Sequence, residues 1–174
     1  MKKANLRVVL VTLLLAALGA SLPACRPRQT ELTFTTIEQE DASRTGKYHE
    51  SREPAMIIIA TPQELTQLDD FVNPEALEHL MEMDYGKYFA LAVFQGRKDT
   101  GSYGVDIKRI ISQDNQITVE VNFQEPLPGF QRTDIVTSPY HLVQVEKPAI
   151  LEGQLRFLLR AEGNTVATSE AILP

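Results

Sequence analysis

Ser138 and His141 are the residues whose types could perform catalysis, as a nucleophile and its general base. They lie three positions apart, and in an extended strand such side chains point to opposite faces of the sheet. The pair therefore cannot form the hydrogen bond that activates a hydroxyl. His49 and His79 have no suitable local partner, and no two carboxylates are placed for acid and base roles. We expect no catalytic residues and a protein that is not an enzyme. A hydrolase in which His79 or His141 meets a nucleophile from a distant strand stays open.

Two other patterns suggest ligand binding. The glycine-containing segment 96–102 follows a predicted strand, as a phosphate-binding loop would, but it leads into another strand and offers no helix N-terminus. His79 lies among Glu75, Glu78 and Glu82 on a predicted helix, yet no second histidine stands at the spacing of a metal ligand. A solvated helix face explains these side chains better. We therefore expect no cofactor and no metal.

The first 24 residues are typical of a secretory signal. A basic start is followed by an apolar run over residues 8–18 and a small-residue exit, and the apolar run is too short for a comfortable membrane span. Removing residues 1–24 leaves 150 of the 174 residues, enough for one ordinary domain with its own core. It also removes Lys2, Lys3 and Arg7, which takes the formal net charge from −6 to −9. Such an acidic body predicts no nucleic-acid partner.

The segment Leu22-Pro23-Ala24-Cys25 resembles the lipobox of bacterial lipoproteins. The resemblance implies that Cys25 is acylated, with chains such as palmitate, and becomes the new N-terminus. Two or three acyl chains hold a protein stably on a membrane. The alternatives are ordinary cleavage after Ala24 or an uncleaved anchor, but Leu22 is too large for the usual cleavage rule and Cys25 is the only cysteine. We expect an extracytoplasmic, lipid-anchored protein of the cell membrane or outer membrane, with residues 25–31 as a tether.

Residues 32–174 read as a single β-rich domain. The clearest strands are a pair around the Asp114-Asn115 turn. The first alternates Tyr103, Val105, Ile107, Arg109 and Ile111 on one face, and the second alternates apolar residues from 117 to 123. Further strands are predicted at 32–37, 55–60, 88–94 and 140–145, with a terminal hairpin over 155–172.

Two short helices are predicted in the first half of the domain. Thr61-Pro62-Gln63-Glu64 is a capping box, and Asn73-Pro74 begins a helix with Leu77, Leu80 and Met81 facing the core. The fold class is therefore α+β, with mainly antiparallel strands arranged as a sandwich or a partly open barrel.

Four successive blocks resemble the PrcB C-terminal domain family. They lie at 93–96, 100–107, 126–129 and 137–143, and the best-matching core is 89–145 within a resemblance that covers about 34–145. Ser102 is a departure, since the family commonly has a glycine there and glycine permits a positive φ that serine largely avoids. The resemblance implies an accessory lipoprotein that assembles with and stabilises a surface protease complex.

The leading hypothesis is thus a membrane-tethered, non-catalytic subunit that holds another envelope protein, such as a protease. The candidate interaction surface comprises Ser102, Tyr103, Tyr140 and His141, beside the turns at Gly101 and Pro139. Both tyrosines could instead be packed rings with hydrogen-bonded hydroxyls. A ligand-binding envelope lipoprotein is the alternative function, and it would need a concave pocket with convergent polar groups.

Overall fold

Alternating apolar residues produce a strand-dominated fold, seen in a computed structural model that describes residues 29–40, 49–127, 129, 135–148 and 151–174. In this part of the chain two helices separate β3 from β4: a 3₁₀ helix (Pro62–Gln67) and α1 (Pro74–Glu82). The strands are β1 (Gln29–Leu32), β2 (Phe34–Glu40), β3 (Ala55–Ile59), β4 (Tyr88–Phe94), β5 (Gly104–Gln113), β6 (Gln116–Gln124), β7 (Tyr140–Glu146), β8 (Gly153–Ala161) and β9 (Asn164–Leu173).

The strands form two sheets that do not close into a barrel. The five-stranded sheet has the order β1-β5-β6-β8-β9, and the four-stranded sheet has the order β2-β7-β4-β3. Neighbouring strands are antiparallel except β6 and β8, which pair in parallel. The predicted fold class is confirmed: α+β, β-rich, mainly antiparallel, with two short helices in the first half.

The four-stranded sheet is buried on both faces, which makes the domain three layers thick. In β4, Phe89, Leu91 and Val93 pack in the core between the two sheets, while the alternating Ala90, Ala92 and Phe94 pack beneath the helices. This is the period of two expected of a strand. It explains why the predicted strands at 55–60 and 88–94 are nearly continuous apolar runs, as strands covered on both faces are.

The two helices begin where the sequence predicts. The Glu64 carboxylate accepts hydrogen bonds from the backbone N–H groups of Thr61, at 3.0 Å, and Ala60, at 2.7 Å. In α1, Ala76 and Leu80 are buried against the four-stranded sheet. The prediction for Met81 is wrong, because this side chain is 66% exposed. The buried stripe follows the i, i+4 pair and leaves Met81 on the flank of the helix.

A bulge in β5 changes the predicted alternation of that strand. The pairing with β6 shifts between Ile107 and Arg109. Val105 and Ile107 are buried as expected, but the buried positions then move to Ile110 and Ser112, and Arg109 faces solvent. An extra residue in one strand inverts the facing of all residues after it. The prediction that Arg109 and Ile111 lie on the same face as Val105 and Ile107 is therefore wrong beyond Ile107.

The predicted strand at 32–37 is divided between the two sheets. Leu32 ends β1, which pairs with β5, and Phe34 begins β2, which pairs with β7. The chain crosses between the sheets at Thr33, as strands do at the corners of sandwiches. Since β1 begins at Gln29, residues 29–31 are paired strand in the structure, although the sequence assigned them to the tether. The described residues include no helix with the length and hydropathy needed to cross a membrane.

Candidate interaction site

His141 connects the two sheets. It lies in β7 of the four-stranded sheet, is only 3% exposed, and its Nδ1 accepts a hydrogen bond of 2.9 Å from the backbone N–H of Ile107 in β5. Its Nε2 lies 2.8 Å from the Thr36 hydroxyl in β2. Because Nδ1 accepts from an amide, the ring proton is on Nε2, which donates to Thr36. Both ring nitrogens are thus used in structural hydrogen bonds.

The same junction satisfies an otherwise open strand edge. β1 pairs with β5 only from Ile110 to Gln113, so among the described residues the part of β5 nearer Gly104 has no neighbouring strand on that side. There, Nδ1 of His141 accepts a hydrogen bond from the backbone N–H of Ile107. The Gln39 side chain donates to the carbonyl oxygen of Val105 at 2.6 Å. Side chains of the four-stranded sheet thereby replace the missing backbone partners, as buried polar groups require.

The neutral form of His141 fits this environment. Burial lowers the pKa of its imidazole, and the nearby Asp106 carboxylate opposes the shift in part. Ser138 is bonded elsewhere: its hydroxyl accepts from the backbone N–H of His49 at 3.3 Å. The hydrogen bonds of Ser138 and His141 therefore lead to different partners.

Two residues of the predicted interaction surface are inside the protein. Tyr140 is 2% exposed and packs against Phe94, with ring centroids 5.5 Å apart, in the core beneath the helices. Its neighbour His141 faces the core between the sheets. The prediction that these two side chains form a surface is wrong because β7 is a central strand with a covered face on each side. The packed-ring alternative holds for Tyr140.

The loop between β4 and β5, residues 95–103, is held by two neighbouring segments. The backbone N–H of Lys98 donates to the Thr137 carbonyl at 2.8 Å, and Thr137 returns a bond of 2.9 Å to Lys98. On the other side of the loop, the backbone N–H of Arg97 donates to the carbonyl oxygen of Ser51 at 2.8 Å. The Arg52 guanidinium also pairs with both carboxylate oxygens of Asp99, at 3.0 and 3.2 Å. This β4–β5 loop is therefore braced although it lies at the surface.

The outer part of the β4–β5 loop carries the other two predicted residues. Ser102 is exposed and has φ of 70°, and Tyr103 is half-buried with the Lys98 ammonium 5.2 Å above its ring. Both line a cleft of about 310 Å³ together with Gln39 and Glu40 of β2. We call the exposed side of this loop, with Lys98, Ser102 and Tyr103, the loop surface. Glycine would adopt this positive φ more readily than serine does.

Sequence reasoning missed Lys98 and Gln39 as members of this region. Gln39 is 66 positions from the carbonyl that it binds, so no local pattern could reveal the contact. Lys98 could have been found from its position in the loop that leads to Tyr103. Cys25, the predicted lipidation site, lies outside the described residues. In the described part of the chain no group of three or more His, Cys, Asp or Glu side chains could hold a metal ion, and His79 bonds to Gln144 at 2.9 Å.

One protein family matches the segment that carries the loop surface. The family model described as PrcB C-terminal covers residues 89–146. This confirms the resemblance inferred from the sequence and extends its best-matching core by one residue. No curated protein and no solved structure matches the chain.

The matched segment corresponds to four consecutive strands of the fold, β4 to β7. It begins in β4, contains the β4–β5 loop, β5 and β6, and ends with β7. It therefore includes Tyr103, His141 and their connection through β5. The description of the matching family names no catalytic activity.

Proposed function

We propose that this protein is a non-catalytic accessory subunit that holds or stabilises an envelope protein complex, such as a protease complex, through its loop surface. In this proposal acylated Cys25 anchors the protein to the extracytoplasmic side of the cell membrane or outer membrane. The observation that supports it most is that the segment matched by the PrcB C-terminal family contains the β4–β5 loop, which is braced from two sides and carries exposed Ser102 and half-buried Tyr103. A braced loop loses little conformational entropy on binding.

The hydrogen bonds of the histidine and serine support a non-catalytic role. A general base needs a free ring nitrogen within reach of its nucleophile. His141 uses both ring nitrogens to hold β2 and β5, and the Ser138 hydroxyl accepts from His49. Conversion of this pair into a nucleophile and base would require breaking the junction between the sheets.

The composition of the loop surface supports a protein partner. Tyrosine is enriched in protein interfaces because one side chain supplies a large apolar area and a polar hydroxyl. Tyr103 lies beneath the Lys98 ammonium, and this cation–π pair is joined by the exposed Ser102. A partner that covers Tyr103 would desolvate this contact and strengthen it.

The test is affinity capture from detergent-solubilised membranes with the tagged full-length protein. We expect a reproducible set of envelope proteins, with recovery reduced about tenfold by Tyr103→Ala, as for a central interface tyrosine. Asn115→Ala is the matched control because Asn115 lies in the turn at the opposite end of β5. Equal recovery with Tyr103→Ala in a folded variant, or no reproducible partner with the wild type, would contradict the proposal.

A further inference from the structure

β1 begins close in sequence to the proposed lipidation site. Three residues, 26–28, separate Cys25 from Gln29, the first residue of β1. Because a chain extends by at most about 3.6 Å per residue, the Cα atoms of Cys25 and Gln29 lie within about 14 Å of each other in any conformation. Acyl chains on Cys25 would therefore hold the beginning of β1 at the membrane surface.

The register of β1 places its beginning at one end of the five-stranded sheet. Gln29 pairs with Gln113, the last residue of β5, and its side-chain amide donates to the side-chain oxygen of Gln113 at 2.8 Å. The β5–β6 turn, formed by Asp114 and Asn115, follows directly. The loop surface lies beyond Gly104 at the other end of β5. Nine residue steps of about 3.3 Å make this distance about 30 Å.

The same end of the sheet carries an unpaired cation and an exposed apolar side chain. Arg156 lines a cleft of about 420 Å³ at the β5–β6 turn, and its guanidinium makes no hydrogen bond or ion pair with any described residue. Glu170, its cross-strand neighbour in β9, accepts instead from Gln154 at 3.0 Å. Ile172, opposite Gln154 in β9, is 68% exposed. We call the β5–β6 turn with Arg156 and Ile172 the turn end.

The broad faces of the domain are less suited to a lipid surface. On the outer face of the five-stranded sheet, the Arg109 guanidinium pairs with the Glu120 carboxylate at 2.7 Å, so these charges already satisfy each other. The exposed side of α1 carries three carboxylates, which anionic headgroups repel. They belong to Glu75, Glu78 and Glu82.

We propose that the turn end contacts the membrane and that the loop surface is held about 30 Å from the lipid, the length of β5. The Arg156 guanidinium can donate two parallel hydrogen bonds to a lipid phosphate. The Asp114 carboxylate lines the same cleft and suits the ammonium group of a zwitterionic headgroup. Ile172 enters the headgroup layer beside them. A partner protein then reaches the loop surface from the aqueous side.

This inference rests on the proposed lipid anchor and adds the orientation of the domain. The test is fluorescence quenching of the full-length, lipidated protein in phosphatidylcholine vesicles that contain a headgroup spin-labelled phosphatidylcholine. Cys25 is the only cysteine, so when it is acylated a single introduced cysteine takes the fluorophore. The label of Asn115→Cys should lose most of its fluorescence. The label of Glu125→Cys, at the opposite end of the β5–β6 hairpin, should retain it.

Thr168→Cys tests whether the domain lies flat instead. Thr168 is exposed in the middle of β9, so its label would be quenched most strongly if the outer face of the five-stranded sheet covered the membrane. We expect quenching between those of Asn115→Cys and Glu125→Cys. Equal quenching at Asn115→Cys and Glu125→Cys, or the strongest quenching at Thr168→Cys, would overturn the orientation.

Arg156→Gln tests the contact with the phosphate. In the labelled Asn115→Cys protein this substitution should reduce the quenching, because the turn end loses its bond to the headgroups. Arg160→Gln has the same charge change nearer the opposite end of β8 and should leave the quenching unchanged. The same quenching in both variants would overturn the phosphate contact.

These results are separate from those that test the proposed function. Labelling of the wild-type protein would reveal a free Cys25 thiol and reject the anchor together with the orientation. A vesicle-bound protein that is quenched equally at both ends of the β5–β6 hairpin rejects the orientation alone. Capture with Tyr103→Ala decides the accessory role independently of both.

Discussion

His141 makes the stability of the domain depend on pH. Its Nδ1 must be unprotonated to accept from Ile107, and burial lowers its pKa below the ordinary value of 6.5. Below pH 6.5 the unfolded chain therefore binds a proton that the folded chain does not, so the stability present above pH 6.5 falls as the pH decreases towards the folded pKa. Urea denaturation at a series of pH values measures this slope.

The matched variants are His141→Leu and His79→Gln. His141→Leu should lose about 1–3 kcal/mol at neutral pH, because the buried N–H of Ile107 loses its acceptor, and should lose this part of the acid dependence. His79 is an exposed residue of α1, so His79→Gln should retain the wild-type slope. An unchanged acid slope in His141→Leu would show that another group carries it.

Ser102 stores backbone strain at the loop surface. Its φ of 70° lies in the left-handed region, which side chains with a Cβ disfavour. Ser102→Gly should therefore stabilise the protein by up to about 1 kcal/mol, after the greater flexibility of glycine in the unfolded chain is counted. Asp114→Gly, at a φ of 52°, is the control and should gain less because aspartate tolerates this region better. Destabilisation by Ser102→Gly, measured by urea denaturation, would contradict the strain.

At the scale of elements, Gly96 fixes the β4–β5 loop against the segment before β3. A Cβ at Gly96 would lie 2.4 Å from the carbonyl oxygen of Arg52, and its φ is +86°. Gly96→Ala should therefore cost about 2 kcal/mol or more. Gly163→Ala is a matched control, because Gly163 has a φ of +82° but no atom within 4 Å of its added Cβ, and should cost about 1 kcal/mol. Equal costs in thermal or urea unfolding would show that the close approach to Arg52 is unimportant.

The elements themselves were largely predictable from the sequence. Period-two alternation located β5 and β6, and the capping pattern located the 3₁₀ helix. The bulge near Ile107 could not be predicted, since the alternation within a single strand does not show where its register with the neighbouring strand shifts. The burial of Tyr140 was not predicted either, because the sequence of an apolar strand does not show which of its two faces a helix covers.

The candidate site was predictable only in part. Ser102 and Tyr103 could be located from the turn at Gly101 and from the family resemblance. Their neighbours come from distant parts of the chain: Gln39 bonds across 66 positions, and Arg52 pairs with Asp99 across 47. Such contacts follow from the sheet order, which single-strand patterns do not determine.

At the scale of the whole molecule, the proposed anchor has a direct consequence. Acyl chains on Cys25 are the proposed link to the membrane, so Cys25→Ala should shift the protein from the membrane fraction to the soluble fraction. Asn115→Ala, which alters only an exposed turn, should remain with the membrane. The measurement is immunoblotting of both fractions after high-salt washing, which removes proteins held by charge alone. Membrane association of Cys25→Ala at the wild-type level would reject lipid anchoring through this residue.

In the proposed complex the loop surface touches an envelope protein. The most direct measurement is photo-cross-linking in intact cells with a benzoyl-phenylalanine in place of Tyr103, compared with the same group in place of Asn115 at the other end of β5. We expect a discrete cross-linked product at Tyr103, of the same mass in repeated experiments, and none at Asn115. Equal labelling at both positions, or no product at Tyr103 in a folded, membrane-associated protein, would contradict it.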